Sequence, residues 1–342
     1  MGGNLFKLGR LPRARYLELE AELRAYLDRK LPGAYRIPRF YGDKPDFGDM
    51  DIIVCQARMP AAWDVVRAEL VDELGITRTK VTGAVFSTVY RDFQVDYFCR
   101  GDEADFLSTY NFLSFNDLGN LLGKLFRRFN LKYGERGLFY VYRSEPTHYK
   151  RDIPLTRDPA RMFSFLGLEV EPWERGFPDL ESMFRWVVSS PYFSIAPFLE
   201  RKATTERRHR QRKTFRAFVE FLEREAITKR YEFEAERARY IPTISRAFPE
   251  AQLEAALARE DALVARRARV RERFNGRLVQ SLIPGLQGKR LGAFISALKA
   301  AHPGFDDRVL ALEAEQLAAL IRAYHQRWAA SFDDESAAPS SV

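Results

Sequence analysis

The chain has 342 residues, of which 46% are hydrophobic, and this is enough apolar material for two or three packed units. No run approaches the roughly 18 consecutive apolar residues that cross a membrane, so we expect no membrane-spanning segment and no membrane partner. A formal net charge of +8 favours a polyanionic partner. Cys55 and Cys99 lie in apolar, strand-like runs, and four scattered histidines have no zinc spacing. We therefore expect reduced core cysteines and a cytoplasmic location.

The first hundred residues predict a small mixed α/β unit. Apolar positions at helical spacing predict a helix over residues 13–31, which "PG" at 32–33 ends. The extended stretch "AYRIPRFY", the loop "GDKPDFGD" and the buried strand "MDIIVC" follow. A second helix fits "PAAWDVVRAELVDELG", and two β-rich runs occupy 77–90 and 93–99.

From about residue 114 the pattern is typical of helices. Gly and Pro are frequent from 134 to 178 and predict a compact, turn-rich subdomain. Long helices are expected over 179–330, interrupted by "IPGLQGKRLG" at 283–292. The polar segment 331–342 predicts a disordered tail.

Three aspartates in and beside these strands form the candidate site. Asp49 and Asp51 are two residues apart where a strand begins, so their side chains share one face while Met50 points into the core. Two adjacent carboxylates resist joint ionisation unless a hard cation such as magnesium neutralises them. Asp96 lies within a second apolar strand, "FQVDYFC", and completes a possible two-metal site. An ordinary acidic turn is the alternative for Asp49 and Asp51, and it is the prediction for Asp46.

Two magnesium ions at such a site, with Mn²⁺ as the substitute, support nucleotidyl transfer. In that chemistry Asp96 helps to lower the pKa of a 3′-hydroxyl and accepts its proton. Gly42 lets the backbone approach a triphosphate, and Lys44 and Arg39 are cations suited to phosphate oxygens. Plain surface charge is the alternative for Lys44 and Arg39.

The motif "GDMDIIV" resembles the catalytic motif of the DNA polymerase β-like nucleotidyltransferases, and "FQVDYF" resembles their third-aspartate strand. The segments 110–139 and 155–176 are similar to the palm end and thumb of family X DNA polymerases, with "FN", a helix, a "GL" strand and "F..LGL" in order. The resemblance covers about residues 35–180. It implies an α+β fold with a nucleotidyltransferase palm over 35–113 and a small thumb over 114–178. These are preceded by a helical segment over 1–34 and followed by an all-helical basic domain over 179–330.

The same resemblance assigns site residues. Asp49, Asp51 and Asp96 match the metal-binding aspartates, Asn116 matches the asparagine that contacts the incoming base, and Tyr110 and Phe112 lie near the aromatic positions that pack on the sugar. Three departures stand out. The family's Gly-Ser at the loop start is Gly42-Asp43 here, so an acid occupies a nucleotide-binding position. The arginine near the template falls on Asn120, which leaves template use open, and Gln94 stands where many members carry a base.

Two basic runs predict a nucleic-acid-binding surface, with solvated helix faces as the alternative. The runs cover residues 201–216 and 265–273, and the candidate binding residues within them are Arg207, Arg208, Arg210, Arg212, Lys213, Arg266 and Arg267. The expected function is therefore magnesium-dependent addition of nucleotides from dNTPs or NTPs to a DNA or RNA 3′ end. The alternatives are an RNA or tRNA 3′-end nucleotidyltransferase, nucleotidyl transfer to a small molecule or protein, and a non-catalytic nucleic-acid-binding module.

Overall fold

The structure is a computed structural model that describes residues 5–145, 148–199 and 212–336, with the backbone alone for 331–336. It is a mixed α+β protein with one mixed sheet and many helices, as expected at the level of fold class. Within the described ranges, none of the helices combines the length and the apolar character needed to cross a membrane.

The strands are β1 (Leu11–Pro12), β2 (Tyr35–Arg36), β3 (Asp46–Phe47), β4 (Met50–Cys55), β5 (Thr79–Thr82), β6 (Val85–Tyr90), β7 (Phe93–Arg100), β8 (Leu131–Gly134), β9 (Gly137–Ser144) and β10 (Tyr149–Thr156). The helices are α1 (Arg13–Lys30), α2 (Trp63–Glu73), α3 (Glu103–Leu113), α4 (Leu118–Phe126), α5 (Pro159–Phe165), α6 (Glu171–Arg175), α7 (Leu180–Ser189), α8 (Ala196–Leu199), α9 (Lys213–Arg224), α10 (Ile241–Ala247), α11 (Leu253–Arg273), α12 (Gly276–Leu282), α13 (Gly288–Ala301), α14 (Phe305–Ala311) and α15 (Ala314–Ser336).

A five-stranded sheet with the order β2-β4-β7-β6-β5 carries the candidate site. Strands β4 and β7 pair in parallel, and the other pairings are antiparallel. The connection from β4 to β6 and β7 runs through α2, as a parallel pair requires. The β-rich run 77–90 divides at Gly83, whose φ of +59° allows the turn between β5 and β6. The predicted strand–helix–strand–strand order is therefore confirmed.

Helix α1 covers one face of this sheet. Its buried side chains include Leu23 and Leu27, which are fully buried, and Tyr16, whose ring stacks on Phe47 at 3.6 Å between centroids. Burying each such side chain contributes roughly 1.5–3 kcal/mol to stability. Helix α1 ends at Lys30, and the backbone of Gly33, with a φ of +71°, changes direction shortly after it. The segment 1–34, expected as a separate element, belongs to the same hydrophobic core as the sheet.

The segment 134–178, predicted to be turn-rich, contains strands β9 and β10 and helices α5 and α6. Helix α4 is followed by a three-stranded sheet, ordered β10-β9-β8, and then by α5 and α6. The glycines that predicted turns lie where strands begin and end: Gly134 pairs with Gly137 at the turn between β8 and β9.

The chain divides into two compact units. The first comprises residues 1–143 and 150–256, and the second comprises 144–149 and 257–342. The division falls inside the segment 179–330 that was expected as one helical domain. The second unit has its own core, to which α12, α13, α14 and α15 contribute Val279, Phe294, Val309 and Ile321. Helix α15 spans Ala314–Ser336, whereas residues 337–342 of the predicted tail lie outside the described residues, so the disordered tail remains a prediction.

Candidate metal centre

Strand pairing brings the three predicted aspartates together. Asp51 in β4 is the direct partner of Asp96 in β7, and Asp49 lies two residues before Asp51, just ahead of β4. Met50 between them is fully buried in the core, as strand alternation predicts. One carboxylate oxygen from each aspartate lies within 4.8 Å of the others. The prediction that these three side chains form one cluster is confirmed.

The cluster is electrostatically strained without a cation. Burial, followed by the negative charges of Asp49 and Asp96, raises the pKa of Asp51 well above its usual range. Burial also raises the pKa of Asp96, an effect that hydrogen bonds from Ser87 and Gln94 oppose. Protonation or cation binding would relieve this repulsion.

Gln94 is the hydrogen-bond partner of Asp96, a contact that the sequence did not predict. It lies two residues before Asp96 on the same face of β7, and its Nε2 donates to Asp96 Oδ2 at 2.9 Å. The other oxygen of Asp96, Oδ1, is buried and accepts no hydrogen bond from the described residues. The amide therefore orients the carboxylate and leaves its other oxygen available to a cation or donor. The only sequence signal was the spacing of two polar residues in an otherwise apolar strand.

These features fit a hard divalent cation. Carboxylate oxygens are the ligands that Mg²⁺ prefers, in octahedral geometry at about 2.1 Å, which places adjacent ligand oxygens about 3 Å apart and opposite ones about 4 Å apart. The aspartate oxygens all lie within 4.8 Å of one another, so side-chain movements of at most about 2 Å would bring them to adjacent ligand positions. A buried carboxylate oxygen without a partner is costly unless a cation or donor satisfies it. The three aspartates can therefore hold a metal ion.

The loop before the cluster is fixed by the chain's own backbone. Gly42 donates its N–H to the carbonyl of Phe177 at 2.8 Å. A β-carbon at Gly42 would lie well inside van der Waals contact with the carbonyl oxygen of Pro178. Close backbone approach thus requires glycine here, and the approaching group in this structure is Pro178. Asp43, the next residue, is exposed at a groove that it shares with Arg185 and Arg224.

Lys44 connects this loop to the segment between α3 and α4. Its Nζ donates to Asn116 Oδ1 at 2.9 Å and lies 4.0 Å from the centre of the Phe47 ring. Asn116 and the preceding Phe115 both have a φ of +60°, which is rare for residues with side chains. Two predicted nucleotide-binding residues are therefore in direct contact, on a backbone segment held in an unusual conformation.

The other predicted nucleotide-binding residues have structural contacts. Arg39 lies between the rings of Phe115 and Trp173, at 4.7 and 4.3 Å, and donates to the carbonyl of Glu174 at 2.7 Å. Burial lowers the pKa of Arg39.

The two predicted aromatic residues lie on α3. Tyr110 stacks with Arg36 at 5.0 Å, while Phe112 packs edge-on against Tyr133 and leaves no space for a β-carbon at Gly119. The structure thus brings Lys44 and Asn116 together, whereas Arg39, Tyr110 and Phe112 each have packing partners of their own.

Known proteins add no family assignment to this chain. No family model matches the sequence, and no curated protein matches it significantly. The chemistry of the site therefore rests on its residues.

The first predicted basic run ends beside the site. Arg212 pairs with Asp117 at 3.0 Å, and Lys213 pairs with Asp46 at 3.4 Å. Asp46 follows Lys44 by two residues, and Asp117 directly follows Asn116. Arg207, Arg208 and Arg210 lie outside the described residues.

The second basic run lies on α11, in the second unit. Arg266 pairs with Asp307 at 2.6 Å, and Arg267 is exposed and lies over the ring of Tyr149 at 4.9 Å. Ion pairs and ring contacts thus account for part of this predicted surface.

Proposed function

We propose that this protein is a magnesium-dependent nucleotidyltransferase of the DNA polymerase β-like type that adds nucleotides to a nucleic-acid 3′ end. The observation that carries the proposal is the convergence of Asp49, Asp51 and Asp96 at one position of a mixed sheet. Two of these carboxyl groups have raised pKa values, which is typical of functional sites. The order of the chain around them, a glycine-containing loop, D-x-D and a third aspartate strand, matches the resemblance found in the sequence.

In this proposal the three aspartates would hold two Mg²⁺ ions, which when bound would activate a hydroxyl nucleophile and stabilise charge on phosphate oxygens. The protein's own contributions are positioning and proton transfer. Asp96 accepts the proton of the attacking 3′-hydroxyl, since its Oδ1 accepts no hydrogen bond from the described residues. Gln94 keeps the other oxygen occupied and so fixes the direction of that carboxylate.

The incoming nucleotide would lie between the cluster and the contact of Lys44 with Asn116. The ammonium group of Lys44 attracts phosphate oxygens, and the side-chain amide of Asn116 offers a donor and an acceptor to a base. Asp43 is exposed beside this loop and can point away from a triphosphate. The contacts of Arg39 argue for a supporting role beneath Phe115 instead of direct phosphate binding.

The nucleic acid would approach along the basic run that ends at Arg212 and Lys213. Arg212 and Lys213 pair with Asp117 and Asp46, which neighbour Asn116 and Lys44 in sequence, and this supports an approach from that direction. We propose a cytoplasmic location, in which Cys55 and Cys99 stay reduced; both are free thiols in the structure.

A primer-extension assay tests the proposal. The protein is incubated with MgCl₂ or MnCl₂, each dNTP or NTP, and labelled DNA or RNA primers, with and without a template strand. Incorporation by the wild type that Asp49→Asn and Asp96→Asn abolish supports the proposal. Transfer of the nucleotide to a protein or small acceptor, with no primer extension, would replace it by the alternative acceptor class. Equal incorporation by wild type and both variants would refute the metal mechanism.

A further inference from the structure

Lys44 is a half-buried cation beside the acidic cluster that forms no ion pair with any described residue. Its ammonium group has three N–H donors, and Asn116 Oδ1 is the one acceptor that the described residues provide for them. The ammonium group also lies over two aromatic rings, 4.0 Å from the centre of Phe47 and 5.9 Å from that of Phe40. An ammonium group with so few acceptors is suited to a ligand that supplies several oxygens.

Charged groups surround Lys44 on several elements. Asp49 and Asp51 of the cluster and Asp46 of β3 favour its charged form, whereas Arg10 opposes it. The guanidinium group of Arg13, on α1, donates to the backbone carbonyl of Lys44 at 3.3 Å. Asn116, its direct contact, is neutral. The ammonium group thus contacts the residue expected to bind the base and also feels the charges of the metal cluster.

We propose that Lys44 is the general acid of the reaction and protonates the leaving pyrophosphate. This inference rests on the proposed function and adds a catalytic residue to it. Its basis is geometric: an ammonium group without an ion pair to any described residue, engaged by one neutral acceptor, and near enough to Asp49 and Asp51 for their charges to act on it.

Atoms and electrons balance in this step. The 3′ oxygen of the primer forms a bond to the α-phosphorus, and the bond from that phosphorus to the oxygen that bridges to the β-phosphorus breaks. The electron pair of the broken bond stays on that oxygen, which takes a proton from Nζ of Lys44. Lys44 becomes a neutral amine, and Asp96 holds the proton lost by the 3′-hydroxyl. Exchange with water restores both residues.

The environment of Lys44 supports this role. Burial lowers its pKa to about 8, and the carboxylates of Asp49 and Asp51 only partly oppose that shift. A group that is protonated at neutral pH but titrates near it transfers a proton more readily than an ordinary lysine. An arginine at the same position would keep the charge but could not give up its proton.

Two substitutions separate proton donation from phosphate binding. Lys44→Met keeps an apolar side chain against Phe47 but removes the positive charge and the transferable proton. Lys44→Arg keeps the positive charge but cannot give up its proton. We expect both variants to lower kcat by about 100-fold or more, with KM for the nucleotide raised only in Lys44→Met. Lys80→Met, on the exposed edge strand β5, is the control and should behave as the wild type. Thermal unfolding with and without MgCl₂ shows whether each variant is folded and still binds the metal.

Leaving-group and pH measurements give readouts that a purely structural role would not change. Nucleotides with CH₂, CHF or CF₂ between the β- and γ-phosphorus release bisphosphonates of increasing acidity. We expect the defect of Lys44→Met to shrink from about 100-fold to less than about 10-fold as the leaving group becomes more acidic, because a weaker base needs less help from an acid. The wild-type kcat should fall as pH rises through the pKa of Lys44, and this decrease should be missing in Lys44→Met.

Three results would overturn the inference. Full kcat in Lys44→Arg would reduce Lys44 to a phosphate-binding cation. Parallel leaving-group dependence in wild type and Lys44→Met would show that no proton comes from this residue. A wild type that incorporates no nucleotide would overturn this inference and the proposed function together, whereas an active wild type with either of the other outcomes leaves the proposed function intact.

Discussion

Asp51 and Asp96 are direct partners in the parallel pairing of β4 and β7, so two carboxyl groups occupy the same level and face of one sheet. Neighbouring positions of this kind are normally apolar in a buried sheet, and like charges placed directly opposite each other destabilise it. The pairing therefore costs stability in the metal-free protein. Removing one of the two charges should recover that stability.

Asp51→Asn should stabilise the metal-free protein at neutral pH. The folded-state pKa of Asp51 is raised, so between the unfolded value of about 3.9 and that raised value the folded protein holds a proton that the unfolded chain has lost. The free energy of unfolding therefore falls as pH rises through this window and stays low above it. The total loss is about 1.4 kcal/mol for each unit by which the folded pKa exceeds the unfolded pKa. Urea unfolding in EDTA from pH 4 to 8 should show this decrease in the free energy of unfolding for the wild type, and a weaker decrease for Asp51→Asn.

Asp46→Asn is a control for which the dependence of stability on pH has the opposite sign. The hydrogen bond from Arg10 lowers the pKa of Asp46, so its contribution to stability is present above the unfolded pKa and is lost as pH falls through the folded one. The side chains of Arg10 and Asp46 are 43% and 38% exposed, so losing their ion pair in Asp46→Asn should cost less than about 1 kcal/mol of stability. An Asp51→Asn protein less stable than wild type at pH 7 without metal would contradict the electrostatic account.

Divalent cations should stabilise the wild type and not the site variants. Binding to the folded state alone adds about 2.7 kcal/mol at a free metal concentration 100 times Kd. Asp49→Asn, Asp51→Asn and Asp96→Asn each remove a ligand and should lose most of this gain, while Asp72→Asn, on the exposed side of α2, should keep it. The apparent Kd for Mg²⁺ from melting curves should rise as pH falls, because protons compete with the metal for carboxyl groups that have raised pKa values. Equal shifts in all four variants would place the cation elsewhere.

The sequence predicts the cluster because strand alternation and parallel pairing are enough to bring its members together. Asp49 and Asp51 share a face by the two-residue period, and an isolated aspartate in a second buried strand needs a partner. The partners of Lys44 and Arg39 could not be predicted in this way. They come from Asn116, Phe115 and Trp173, which are far away in sequence and reach the loop only once the packing of α3 to α6 is known.

The N-terminal helix and the β8–β10 sheet show a related limit. The helical period of α1 was readable, but its docking on the sheet through Tyr16 and Phe47 depends on ring packing that no local pattern encodes. Glycines near β8 and β9 indicated turns, and they do make turns, but the strands between them carry a mixed polar and apolar pattern whose pairing is non-local. Periodicity therefore identified elements better than it identified their neighbours.

Gly42→Ala should destabilise the loop before the cluster. The added methyl group would meet the backbone of Pro178, which cannot move as a flexible side chain could, so the loop must shift. Forced overpacking of this kind costs typically about 1–3 kcal/mol. Chemical denaturation measures the loss, and KM for the nucleotide should rise because Lys44 follows two residues later. Gly101→Ala, where a β-carbon meets no atom within 4 Å, is the matched control, and equal stability of the two variants would show that the contact is unimportant.

Neutralising the first basic run should weaken binding to nucleic acid in a salt-dependent way. Each arginine that contacts a phosphate releases counterions and contributes about 0.7–0.9 to the slope of log K against log salt concentration. The combined substitutions Arg207→Gln, Arg208→Gln, Arg210→Gln and Arg212→Gln should therefore flatten this slope by about 3, as measured by fluorescence anisotropy with a labelled oligonucleotide at several KCl concentrations. The control carries Arg15→Gln, Arg78→Gln, Lys80→Gln and Arg91→Gln, which remove the same formal charge from exposed positions outside both basic runs. An equal flattening in the two proteins would attribute the binding to net charge alone, and an unchanged slope in the first would place the nucleic-acid surface on other residues.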